Sequence, residues 1–86
     1  MRKIEITLRN ASGLHARPAS LLVKESNKFS SDIKITKGNT EYNAKSIMAI
    51  LSMGASKGDK IVITANGDDA EIAINALSEL VSKFNE

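Results

Sequence analysis

The chain has 86 residues, 42% of them apolar and 26% charged, with a formal net charge of +2. That length suits one domain over residues 1–86 that folds around its own core, and leaves no room for a second. With no cysteine, one histidine and only 3% aromatic residues, disulfides, thiol redox chemistry, a metal-ligand set and an aromatic platform for nucleic acid are all excluded.

In chain order, Ile4, Ile6 and Leu8 alternate with Lys3, Glu5, Thr7 and Arg9, the period of a strand with one buried face. Those charges also interrupt any signal peptide, and no apolar run approaches the ~20 residues of a membrane span, so the chain is expected in the cytoplasm. Ala19, Leu22 and Val23 then recur at helical spacing, with Lys24, Glu25 and Lys28 on the wetter side and an end near Asn27. Ile33 and Ile35 mark a second strand. Gly38 and Asn39, both tolerant of positive φ, suit a tight hairpin into a short third strand through Tyr42.

Ser46 is placed to cap a short helix from Ile47 to Met53, which Gly54 stops. Ile61, Ile63 and Ala65 form a fourth strand that ends at Asn66 and Gly67. Asp68 and Glu71 have the spacing of a capping box, and Ala70, Ala73, Leu77, Leu80 and Phe84 form an apolar stripe on a long last helix. The order strand, helix, strand, strand, helix, strand, helix is an α+β layer. By itself it fixes the hairpin but not the strand order, and a ferredoxin-like arrangement stays open.

The chemistry concentrates in the junction from Asn10 to Ser20, which joins the first strand to the first helix. Pro18 has its φ near the helical value and no N–H to lose, so it belongs in a first helical turn and places the helix start near His15 to Arg17. A helix start carries unpaired N–H groups and the positive end of the macrodipole, so it receives anions. Histidine there supplies a ring nitrogen that is a nucleophile near neutral pH. Arg17 supplies a fork of donors to the same anion, while Gly13 lets the loop turn and a partner come close. Ser12 reads as a plain turn residue.

The run Gly13, Leu14, His15, Ala16, Arg17, Pro18, Ala19 resembles the active-site motif of the HPr family, histidine-containing phosphocarriers of the phosphoenolpyruvate-dependent sugar phosphotransferase system. The run Lys45 to Leu51 resembles that family's regulatory serine segment. The resemblance spans essentially the whole chain. It implies an open-faced sandwich, a four-stranded antiparallel sheet in order 1-4-2-3 with three helices on one face. It implies a carrier that is not itself an enzyme and needs no cofactor. His15 accepts a phosphoryl group from phosphorylated enzyme I, Arg17 holds the phosphate, and the group passes to sugar-specific IIA components.

The resemblance also implies regulatory phosphorylation at Ser46 by a serine kinase/phosphorylase, read out by a transcriptional regulator. A partner-binding surface of Ala16, Ser20, Lys24, Ile47, Met48 and Leu51 follows from it, with Ile50 assigned to the core. Such a carrier is expected to be a monomer that exposes its site to successive partners. Ala49 departs from the family pattern, where glycine is expected, and alanine there firms the helix by about 0.8–1 kcal/mol. His15 separates the chain from catabolite-repression paralogues that lack the active histidine. The alternative is a purely regulatory binding protein that works through the Ser46 helix and asks nothing of His15.

Overall fold

A computed structural model describes residues Met1–Glu86. The elements are β1 (Arg2–Thr7), α1 (Ala16–Ser26), β2 (Asp32–Lys37), β3 (Thr40–Asn43), α2 (Ile47–Met53), β4 (Lys60–Asn66) and α3 (Ala70–Ser82). The four strands form one sheet in order β1-β4-β2-β3, with every neighbour antiparallel. The expected open-faced sandwich is therefore the fold, and the ferredoxin-like alternative is set aside.

Alternation along each strand decides what the sheet buries. The ladder registers line up Ile4, Ile63, Ile35 and Tyr42 across all four strands. The central pair, Ile63 and Ile35, is fully buried, whereas Ile4 and Tyr42 on the edge strands are only partly covered. The odd-numbered residues of β1 and their partners Val62 and Thr64 lie on the other face of the sheet. One cluster of 18 buried residues forms the core, contributed by the strands, the helices and the loops between them. Fully burying a side chain such as Ile63 or Leu22 contributes about 1.5–3 kcal/mol each.

The expected tight hairpin forms over Gly38 and Asn39, the two residues between Lys37 and Thr40, with positive φ at Gly38 (63°) and not at Asn39. Two local expectations are corrected. The capping box of Asp68 and Glu71 does not form. The N-cap of α3 is Asp69, whose carboxylate turns away to the N–H and hydroxyl groups of Ser30 and Ser31, and Glu71 instead meets Arg2 at 3.1 Å. On α3 the buried arc runs through Ala70, Ala73, Ile74, Leu77 and Val81. Leu80 and Phe84 fall at its margin, half-exposed in a groove beside Leu21 of α1.

α2 begins and ends as its residues dictate. The Ser46 hydroxyl accepts from the Ala49 N–H at 3.2 Å, and Gly54 closes the helix at φ 65° with its N–H on the Leu51 carbonyl. Lys37 adds its ammonium to the free Met53 and Gly54 carbonyls at 3.4 and 3.3 Å, which satisfies acceptors that the helix leaves open. No helix is long and apolar enough to cross a membrane.

Candidate functional site

The loop that delivers His15 is held from beneath. Asn10 is buried, and its side-chain amide donates to the Gly13 carbonyl at 2.9 Å, while the Gly13 N–H returns to the Asn10 carbonyl at 3.1 Å. The Leu14 N–H reaches the Ala55 carbonyl at 3.0 Å, and Leu14 itself is fully buried. Gly13 has φ 58°, and a Cβ on it would lie 2.7 Å from the Cα of Ser56. Only glycine permits so close an approach of two backbones in that conformation. Leu14 anchors the loop in the core, and the next residue, His15, is left exposed.

His15 occupies the N-cap of α1 in extended conformation (φ −124°, ψ 168°), and its imidazole makes no capping hydrogen bond. The N–H groups of Ala16 and Arg17 have no backbone acceptor, and Pro18 has none to offer; the first backbone donor to bond is Ala19, on the His15 carbonyl. A ring nitrogen thus stands beside two free donors at the positive end of an 11-residue helix, an arrangement suited to a tetrahedral anion. Ala16 has φ 53°, the one non-glycine residue of the chain in the left-handed region. Such a conformation costs an alanine about 1–2 kcal/mol.

Arg17 does not lie on His15. Its Nε is 3.6 Å from the Glu86 carboxylate, with both side chains more than half exposed. The Glu86 carbonyl also accepts from the Ser12 N–H at 2.6 Å. Glu86 therefore flanks the site twice, which no motif announces; its sole sequence signal is an acidic residue near the end of an apolar stripe. Ser12 acts through its backbone, in keeping with its reading as a turn residue.

The second segment lies alongside. Asn27, at the end of α1, donates to the Lys45 carbonyl at 3.1 Å, and the Lys45 ammonium donates to the Phe29 carbonyl at 2.6 Å. These bonds tie the entry of α2 to the exit of α1. On α2, Ile50 is fully buried while Ile47, Met48 and Leu51 are 39%, 75% and 40% exposed. Ala16, Ser20 and Lys24 on α1 are exposed as well. Two packed helices thus present three apolar side chains and one cation to solvent.

The profile described as the PTS HPr component phosphorylation site matches residues 2–83. The phosphocarrier protein HPr of Mycoplasma pneumoniae is 40% identical over 84 residues, 96% of either chain. The structure of HPr-C-His from Thermoanaerobacter tengcongensis superposes with a TM-score of 0.94 at 49% identity, covering 95% of this chain and 92% of that one. Crh of Bacillus subtilis, a catabolite repression protein solved as an intertwined dimer with a swapped domain, gives 0.77 at 37% identity over 96% and 95%. The match runs through the loop that raises His15 and the sheet that supports it alike, and the chain belongs to the HPr family of phosphocarriers of the phosphotransferase system.

Proposed function

We propose that His15 carries the phosphoryl group, taking it from phosphorylated enzyme I and giving it to IIA components of sugar permeases in the cytoplasm. The observation that carries this reading is the pairing of an exposed, unengaged imidazole with the free N–H groups of Ala16 and Arg17. In the transfer, a ring nitrogen attacks phosphorus, the bond to the donor's nitrogen breaks, and the phosphoryl oxygens meet those donors as charge redistributes. Arg17 swings from Glu86 to the phosphate, a change that costs little because the existing pair is solvent-exposed. The chain turns over no free substrate. Its partners dock on the exposed residues Ala16, Ser20, Lys24, Ile47, Met48 and Leu51, and one copy suffices for each transfer.

Ser46 is proposed as a second, regulatory phosphorylation site, served by a serine kinase/phosphorylase and read by a transcriptional regulator. A phosphate at the start of α2 is compatible with the helix, because the dipole favours it. Its effect falls on docking. A carboxylate of enzyme I about 8 Å away at an effective dielectric of 20 is repelled by roughly 2 kcal/mol per charge pair, about thirty-fold in affinity.

The test is intact mass after incubation with enzyme I, magnesium and phosphoenolpyruvate, for wild type and His15→Ala. One added phosphoryl group, labile in mild acid and absent from the variant, is the expected result. No added mass, with enzyme I shown to charge another HPr, rejects the carrier role of His15.

A further inference from the structure

The His15 loop rests on a short platform, the segment from Met53 to Asp59 that leads out of α2 toward β4. Ala55 is fully buried there, and its carbonyl accepts the Leu14 N–H at 3.0 Å. The backbone of Ser56 stands directly against Gly13. Asp59 closes the far end: its carboxylate accepts the Ser56 N–H at 2.8 Å, its own N–H returns to the Ser56 carbonyl at 3.0 Å, and its carbonyl accepts the Leu8 N–H at 2.9 Å. A small shift of this segment therefore moves the loop above it, since closely packed groups transmit displacement.

Lys37, the last residue of β2, holds both ends of that platform with one ammonium. It donates to the Met53 and Gly54 carbonyls at 3.4 and 3.3 Å and lies 3.5 Å from the Asp59 carboxylate. A cation at the end of a helix is favoured by the free carbonyls and by the dipole. The Lys37 and Asp59 side chains are 34% and 35% exposed, so this pair is less screened by solvent than Arg17 with Glu86. The Asp59 carboxyl is held below its ordinary value, first by the Ser56 N–H and, against burial, by Lys37, so it stays charged near neutral pH. Lys37 lies outside both phosphocarrier motifs, and its polar contacts are all with the platform, none with the His15 loop.

We infer that Lys37 is a positioning residue for phosphoryl transfer: by lacing Met53, Gly54 and Asp59 together, its charge fixes the height of the platform and so the alignment of His15 with the free N–H groups of Ala16 and Arg17. The inference rests on the carrier role proposed for His15. Alignment matters because a misplacement of ~1 Å, caused far from the chemistry, costs up to about a hundredfold in rate. α2 keeps its own seat through the Ser46 cap, the buried Ile50 and the bond from Asn27 to the Lys45 carbonyl, so the docking face is left intact.

The test is Lys37→Met, which keeps the aliphatic stem and removes the charge, with Lys37→Arg as its rescue. Amide hydrogen exchange of the free chain is expected to speed up at Leu14 by about tenfold or more, while Ile63 in the central strand changes by less than about threefold. Transfer from phosphorylated enzyme I, followed in a single turnover, is expected to slow about five- to tenfold in Lys37→Met at saturating enzyme I, with affinity kept within about twofold. Lys37→Arg, which retains the charge, is expected to restore the rate to within about threefold. Leu14 exchange that is unchanged, or that rises only in step with Ile63, would overturn the inference. So would a wild-type rate for Lys37→Met at saturation, or a Lys37→Arg variant as slow as Lys37→Met. A wild type left uncharged by an enzyme I that charges another HPr rejects the carrier role of His15 and overturns the inference with it. Leu14 exchange is read without enzyme I, so the two failures are told apart.

Discussion

Arg17 and Glu86 are joined across the candidate site, Nε to Oε1 at 3.6 Å, with His15 on the same helix start left without a partner. On the proposed carrier role, a phosphoryl group on His15 would bring up to two negative charges within reach of Arg17, and phosphate and Glu86 would compete for one guanidinium. Glu86→Gln removes the competitor and a like charge. The equilibrium of phosphoryl transfer from enzyme I should then shift toward this chain by about fivefold, the effect of roughly 1 kcal/mol at a partly screened site. Arg17→Ala should shift it the other way by about tenfold. Both variants should keep their folding stability to within about 1 kcal/mol, because the pair is exposed. Quantifying phosphorylated chain against phosphorylated enzyme I at equilibrium checks this, and equal shifts in one direction would remove the competition.

Asp69 gives the fold a dependence on acid. Its carboxyl is held down at about 2, first by the Ser31 hydroxyl and then by the Ser30 N–H, against an opposing effect of burial, with the Ser31 N–H and the Ser30 hydroxyl adding to the lowering. A carboxyl lowered in the folded state stabilises the fold above its unfolded pKa near 3.8, and that contribution is lost as pH falls toward 2. Asp69→Asn should lower the urea midpoint at pH 7, and the gap between variant and wild type should close between about pH 4 and pH 2. A gap independent of pH would place the effect elsewhere. Gly67 belongs to the same arrangement, since a Cβ on it would lie 2.8 Å from the Cα of Ser31.

This cluster also marks where the sequence stops being legible. Strand alternation, the Ser46 cap, the Gly54 stop and the Pro18 start are local and appear as local signals. Asp69 is equally visible beside Asp68, but its partners lie 38 and 39 residues away, whereas the local spacing of Asp68 and Glu71 predicts a capping box. Glu86 carries no local signal for the same reason, since its bonds to Ser12 and Arg17 cross nearly the whole chain. The motif around His15 named the site, yet the left-handed φ of Ala16 has no sequence signal, because alanine is not a residue that favours it.

Two neighbours of His15 should respond to opposite exchanges in opposite ways. Ala16 sits at φ 53° on an exposed turn, so Ala16→Gly relieves about 1–2 kcal/mol of strain against a loss of up to about 1 from greater unfolded-state freedom. Stability should rise by up to about 2 kcal/mol. Gly13→Ala combines φ 58° with a backbone collision at Ser56 and should cost about 2–4 kcal/mol. Urea denaturation of the two variants checks the pair, and a destabilised Ala16→Gly would show that Ala16 is not strained in the folded protein.

Met48 separates docking from folding most cleanly. It is 75% exposed on α2 while Ile50, two residues on, is fully buried, so the two positions test surface and core on one helix. Met48→Asp should leave the urea midpoint nearly unchanged, within about 0.5 kcal/mol. Phosphoryl transfer from enzyme I should slow by about tenfold or more, because an apolar contact is lost and a carboxylate is carried into the interface. The slowing should appear as weaker binding rather than slower chemistry, so saturating enzyme I should recover most of the rate. Ile50→Ala, by contrast, should cost about 2–5 kcal/mol of stability. If Met48→Asp transfers at the wild-type rate across all enzyme I concentrations, the exposed face of α2 is not part of the docking surface, and the patch on α1 must carry recognition alone.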